Sequence, residues 1–119
     1  MKILIVDDSR AMRMLVKRTL RQTGVEIAEI EEAADGNEGL AKVGDWAPDL
    51  IFCDWNMPEM NGIDFLQKLR GGGDQTPFVF VTSEISDELR ERAFANGAQS
   101  FVTKPFTVDA FNDVFGLLG

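Results

Sequence analysis

Two hydrophobic periodicities alternate along the chain. Short apolar runs suited to buried strands occur at "KILIV" (2–6), "LIFCD" (50–54), "FVFVT" (78–82) and "SFVT" (100–103). A more polar run, "EIAEIEEA" (26–33), reads as a strand near a sheet edge. Between the runs the spacing becomes helical. Met12, Leu15, Val16 and Leu20 recur within residues 9–23, and Gly24 stops that helix. Asp35 caps a helix to about Trp46, weakened by Gly39 and Gly44. A third helix runs from about Gly62 to Arg70 and stops at Gly71-Gly72-Gly73. Ser86 caps a fourth, which Gly97 ends. Thr107 caps the last, with Ala110, Phe111, Val114, Phe115 and Leu118 on one face.

Five strand-then-helix repeats predict an α/β fold, a doubly wound five-stranded parallel sheet with helices on both faces. The first, third and fourth strands are almost wholly apolar, as strands covered on both sides should be. The length of 119 residues fits a single domain, 1–119, around one core. The triple glycine reads as a loop within that domain.

Charge and composition narrow the chemistry. A net charge of -8 disfavours direct nucleic-acid binding and anionic membranes, and favours cations or basic partner surfaces. The apolar runs are too short to insert in a membrane and no leader pattern opens the chain, so a cytoplasmic location is expected. The single cysteine, Cys53, excludes an internal disulfide and reads as core. There are no histidines, which rules out Ser-His-Asp and Cys-His sites and the commonest zinc ligand. Any metal must be held by oxygen, which points to magnesium, manganese or calcium.

Ligands of open parallel sheets bind beyond the carboxyl ends of the strands. There the first strand presents Asp7 and Asp8, the third Asp54, the fourth Thr82 and Ser83, and the fifth Thr103, Lys104 and Pro105. Each alone has a plain structural reading, as a cap, a strand end or a solvated charge. Together they need a further explanation. Unit charges 4 Å apart repel by about 4 kcal/mol at an effective dielectric of 20. Clustered carboxylates therefore raise one another's pKa or hold a cation. A hard divalent ion with Lys104 would keep Asp54 ionised, and an ionised aspartate can attack phosphorus to give an acyl phosphate. Lacking histidine, the chain would take a phosphohistidine's phosphoryl group only from another protein.

The segments "VDDSRAMR" (6–13), "DWNMPEMNG" (54–62), "VTSE" (81–84) and "FVTKPFT" (101–107) resemble, in order and spacing, the receiver domain of two-component response regulators, closest to the chemotaxis type. The resemblance covers essentially the whole chain. It implies strand order 2-1-3-4-5, the flavodoxin-like and CheY-like arrangement. It also implies a phosphorylation-dependent signalling switch with intrinsic autophosphatase activity, rather than a metabolic enzyme. By matching position, Asp54 is the phosphoacceptor. Mg2+, or Mn2+ in its place, is bound by Asp8, Asp54 and the backbone carbonyl of Asn56, with Asp7 acting through a water. Lys104 pairs with Asp54 or the phosphoryl group. Thr82 moves to the new phosphoryl oxygen and Phe101 rotates into the space it leaves. Asn56 and Glu84 tune acyl-phosphate lifetime, and the Lys104-Pro105 peptide is cis.

Implied partners are a sensor histidine kinase as phosphodonor, a downstream protein such as a flagellar motor switch, and a phosphatase. The output would pass through the fourth helix, fifth strand and fifth helix. The sequence stops at "VFGLLG" after the last helix, which favours a single-domain chemotaxis-type regulator. Alternatives are a phosphorelay or phosphate-sink receiver, or the receiver fragment of a longer transcription factor. A flavodoxin-like electron carrier is remote, because Asp-Asp-Ser-Arg stands where a phosphate loop belongs. An aspartyl phosphatase is disfavoured because Asn56 takes the place of its general acid. A degenerate docking receiver is disfavoured because the acidic set is complete. Phe101 stands where tyrosine is frequent, so a contact through that hydroxyl is lost. Trp55 stands beside the acceptor; its plain reading is a rim aromatic, and its fluorescence should report metal or phosphoryl binding.

Overall fold

The apolar runs do become strands, and polar caps set the starts of the helices between them. A computed structural model of the protein describes residues 1–83 and 85–118. The elements are β1 (Lys2–Val6), α1 (Arg10–Arg21), β2 (Glu29–Ala33), α2 (Gly36–Trp46), β3 (Leu50–Cys53), α3 (Gly62–Gly71), β4 (Phe78–Thr82), α4 (Asp87–Ala95), β5 (Ser100–Thr103) and α5 (Val108–Leu118). Side chains of Ser9, Asp35, Asn61, Ser86 and Thr107 accept the first-turn amide hydrogens of the five helices.

All strand pairs are parallel and the order is β2-β1-β3-β4-β5. Alternate residues of each strand face opposite layers. Leu4, Val6, Ile51, Cys53, Phe78 and Phe80 join Val43, Phe65, Leu66 and Ala93 on the α2–α3–α4 side. Ile3, Ile5, Leu50, Phe52, Val79, Val81 and Val102 join Val16, Leu20, Phe111 and Val114 on the α1–α5 side. The sheet is therefore doubly wound, as its alternating pattern predicts.

Two expectations need correction. β2 begins at Glu29, not Glu26, because its partner begins at Lys2, which pairs with Glu29. Residues 26–28 lie before that register, although the Ala28 amide still donates to the Met1 carbonyl at 2.9 Å. In α1, Leu15 is 46% exposed. The buried stripe runs through Val16, Thr19 and Leu20, and Leu15 sits about 100° round the helix from Val16.

The order reverses at β1 and β3, whose crossovers leave in opposite directions. Their register pairs Val6 with Cys53, so Asp7 and Asp54 come next, side by side, beyond the strand ends. The Asp54 amide donates to the Val6 carbonyl at 2.9 Å and closes the sheet at this point.

Candidate functional site

Strand register brings together residues far apart in sequence. Asp7 is 3% exposed and Asp54 9%. Asp8, the first residue outside the sheet on its chain segment, is exposed. One carboxylate oxygen from each of Asp7, Asp8 and Asp54 lies within 4.8 Å of the others. Lys104 reaches in from beyond β5, its Nζ 3.4 Å from Asp7 Oδ2 and 3.3 Å from Asp54 Oδ1. Its backbone amide donates to the Thr82 carbonyl at 2.9 Å, tying the loop after β5 to the end of β4. The Lys104-Pro105 peptide is cis, as the resemblance implies.

The environment of Asp54 is divided against itself. Burial is the largest influence and pushes its carboxyl above the ordinary range, and the neighbouring charge of Asp7 adds to this. Lys104 and the Trp55 amide, which donates to Asp54 Oδ1 at 2.9 Å, act in the opposite direction. Cys53, immediately before it, is fully buried, and burial raises its thiol further, with Asp54 and Asp7 contributing. That is an inert core thiol.

The donor set suits a hard divalent cation. It is all oxygen, it has more negative than positive charge, and its oxygens lie within 4.8 Å of one another. Asp7 is already oriented, because its Oδ1 accepts the Ser9 amide hydrogen at 2.9 Å.

Two residues that composition and spacing do not mark out shape the site. Gly62 opens α3 directly under the turn after Asp54. A Cβ there would stand 2.3 Å from the Asp54 carbonyl oxygen and 2.8 Å from the Phe80 ring. The Gly62 amide donates to the Trp55 carbonyl at 2.8 Å, so the helix start and the acidic turn share one backbone contact. Gly62 closes the segment "DWNMPEMNG", but that pattern does not say why a glycine must stand there. Arg13 is the other. It lies three residues before Val16 on the sheet-facing side of α1 and donates to the Asp7 carbonyl at 2.6 Å.

Trp55 is not a rim residue. It is 6% exposed and packs on Phe80 with ring centroids 4.7 Å apart. Phe80 stacks in turn on half-buried Phe101 at 5.7 Å, and Phe101 meets Phe94 edge-on at 5.5 Å under the Arg90 guanidinium. Thr82 is fully buried at the end of β4, and Asn56 is exposed in the turn after Trp55. Glu84 lies outside the described residues.

A family model, the response regulator receiver domain, matches residues 3–115. The chain belongs to this family. This receiver domain is 37% identical over 110 residues to chemotaxis protein CheY1 of Helicobacter pylori, covering 90% of this chain and 87% of the relative. It is 36% identical over 123 residues to the probable chemotaxis protein CheY of Rhizobium etli, covering 98% of this chain and 94% of the relative. Among solved structures, Vibrio cholerae chemotaxis protein CheY4 superposes with a TM-score of 0.85 at 37% identity, covering 97% of this chain and 95% of that one. The receiver domain of Francisella response regulator 1452 superposes at 0.86 with 29% identity, covering 98% and 94%. The receiver domain is thus of CheY type, a component of two-component signalling. None of its described helices is long and apolar enough to cross a membrane.

Proposed function

We propose that this receiver domain is a phosphorylation-controlled switch whose phosphoacceptor is Asp54. The observation that carries the reading is the placement of Asp54. It is a nearly buried carboxylate at the sheet's switch point, with two further carboxylates within 4.8 Å and an ammonium at 3.3 Å. Nothing in a plain structural role calls for that concentration of like charge, whereas phosphoryl transfer calls for both parts of it.

In the forward step an Asp54 carboxylate oxygen attacks the phosphorus of a phosphohistidine on a sensor kinase, or of a small acyl phosphate. The new P–O bond forms at Asp54 as the bond to the donor breaks, and the electron pair leaves with the donor's nitrogen or carboxylate oxygen. The Trp55 amide, bonded to Oδ1, fixes the carboxylate plane and leaves Oδ2 as the attacking atom. Lys104 gives up part of its contact with Asp54 to a phosphoryl oxygen, as a charge-assisted donor. Asp8, Asp54 and the Asn56 backbone carbonyl would hold Mg2+, or Mn2+ in its place, with Asp7 acting through a water; the ion would neutralise phosphoryl oxygens when bound. In the hydrolytic step water attacks phosphorus, the P–O bond to Asp54 breaks with its electron pair leaving on the carboxylate, and inorganic phosphate is released while the water's proton passes to solvent.

The switch follows from the neighbours of Asp54. A phosphoryl group adds acceptor oxygens and charge. The Thr82 hydroxyl moves to one of those oxygens, and Phe101 turns inward from its half-buried place among Phe80, Phe94 and Arg90. The surface of α4, β5 and α5 changes and a protein partner reads it. Named relatives are chemotaxis proteins, which supports a chemotaxis output such as a flagellar motor switch, with the kinase and a phosphatase as the other partners. Use as a phosphorelay intermediate rests on the same chemistry.

The test is intact mass after incubation with acetyl phosphate and Mg2+. Wild type should gain about 80 Da for one phosphoryl group. Asp54→Asn, and wild type in excess EDTA, should gain none. An adduct that survives in Asp54→Asn refutes the assignment.

A further inference from the structure

We propose that Arg13 is a positioning residue for the metal-binding acids, holding the Asp7–Asp8 peptide in the orientation that aims the Asp8 carboxylate at the site. This rests on the reading of Asp7, Asp8 and Asp54 as a cation site.

Asp7 is fixed at each of its polar atoms. Its amide donates to the Ala33 carbonyl at 3.1 Å, Oδ1 accepts from the Ser9 amide at 2.9 Å, and Oδ2 faces Lys104 at 3.4 Å. The remaining atom, the backbone carbonyl oxygen, accepts from Arg13 at 2.6 Å. Asp8 is held differently. Among the described residues its side chain makes no hydrogen bond or ion pair, and it is exposed. The backbone is therefore what places its Cα, and with it the region the carboxylate can reach. The peptide unit is planar, so fixing the Asp7 carbonyl fixes the plane that carries the Asp8 amide and Cα.

Arg13 is built for this task. It sits on the sheet-facing side of α1, and its side chain is only 14% exposed. Its Nε donates to Glu32 at 3.0 Å, so the guanidinium spans from the edge strand β2 to the acidic loop. A rigid planar fork can serve both acceptors at once, and a single ammonium serves them poorly. Lys17 also faces Glu32, at 3.9 Å, but is more exposed and touches no atom of Asp7.

The pair Arg13 and Lys17 allows a test in which charge and positioning predict opposite signs. Removing a cation from beside an acidic site strengthens cation binding by charge alone. Losing a residue that orients metal ligands weakens it, by about tenfold in comparable outer-shell cases. Mg2+ affinity is measured by isothermal titration of the metal-free protein, with a thermal melt in EDTA run on every variant. Arg13→Gln should bind Mg2+ about tenfold more weakly. Lys17→Gln, with the same change of charge, should bind as well as wild type or better. Arg13→Lys keeps the charge and should show an intermediate loss. If Arg13→Gln does not fold, the charge-conserving Arg13→Lys decides alone, since unchanged affinity there overturns the proposal. Affinity in folded Arg13→Gln equal to that of Lys17→Gln also overturns it. Absence of Mg2+ binding in the wild type would overturn the cation site itself, a different failure from a wild type that binds and a variant that binds equally.

Discussion

Replacing Lys104 by Met keeps the stem and removes the charge between two nearly buried acids. The structure sets the scale. Lys104 Nζ lies 3.4 Å from Asp7 Oδ2 and 3.3 Å from Asp54 Oδ1. At an effective dielectric of 20 each attraction is about 5 kcal/mol before desolvation. Desolvation of the side chain, 16% exposed, and lost rotamer entropy offset a large part of that sum. Once the ammonium is gone, Asp7 and Asp54 repel across no more than 4.8 Å, by about 3 kcal/mol or more on the same scale. The protein can escape by protonating one carboxyl. From an ordinary carboxylate value to pH 7 that costs about 4 kcal/mol, at 1.36 kcal/mol per unit. The ceiling is lower here, because Asp54 is already raised by burial and by Asp7. The expected loss for Lys104→Met in metal-free buffer at pH 7 is therefore about 2–4 kcal/mol. The assay is urea denaturation in EDTA and again in excess Mg2+. The loss should shrink in Mg2+, and Mg2+ should bind the variant at least as tightly as wild type, because no ammonium competes for the same oxygens. Wild-type stability in EDTA, or a loss indifferent to Mg2+, would refute the electrostatic account.

Other consequences follow from the same geometry. Asp54→Asn should stabilise the metal-free protein at neutral pH. The folded Asp54 carboxyl is raised, so the folded state binds more protons than the unfolded state between the ordinary value and the raised one. Wild-type stability therefore falls as pH rises through that window, and the advantage of the amide variant appears there and vanishes in more acid solution. Denaturation at several pH values in EDTA checks this, and an advantage that grows on acidification contradicts it. Gly62→Ala should cost about 1–3 kcal/mol and lower Mg2+ affinity, since its Cβ meets the Asp54 carbonyl at 2.3 Å and the turn must shift. A melt with Mg2+ titration reads both effects. Phe101→Leu should accept phosphoryl groups at near wild-type rate but lose the response at α4. Intact mass and amide exchange of residues 87–95, each with and without acetyl phosphate, separate the two effects.

Much of the molecule was legible because its signals are local. Strand hydrophobicity, the caps at Asp35, Ser86 and Thr107 and the stop at Gly24 each act within a few residues. The acids at the rim were legible because they directly follow apolar strands. What was missed depends on contacts across the fold. The start of β2 is set by where β1 begins. Arg13 looks like a surface charge, since helical periodicity counts arginine as polar. It turns inward because the Asp7 carbonyl and Glu32, on two other segments, offer acceptors there. Trp55 follows an acid in a turn, which suggests a rim, but the ring folds back onto Phe80 of the next strand. Gly62 is required by the Asp54 carbonyl above it, which spacing does not reveal.

The central claim is that Asp54, among all the carboxylates of this chain, receives the phosphoryl group, and does so only with a divalent cation. Treating the phosphorylated protein with borohydride reduces an aspartyl phosphate to homoserine, which peptide mass mapping locates. Homoserine at position 54 alone, formed with Mg2+ and absent in EDTA, is the predicted result. Homoserine at any other aspartate, or at position 54 without a metal, contradicts the account.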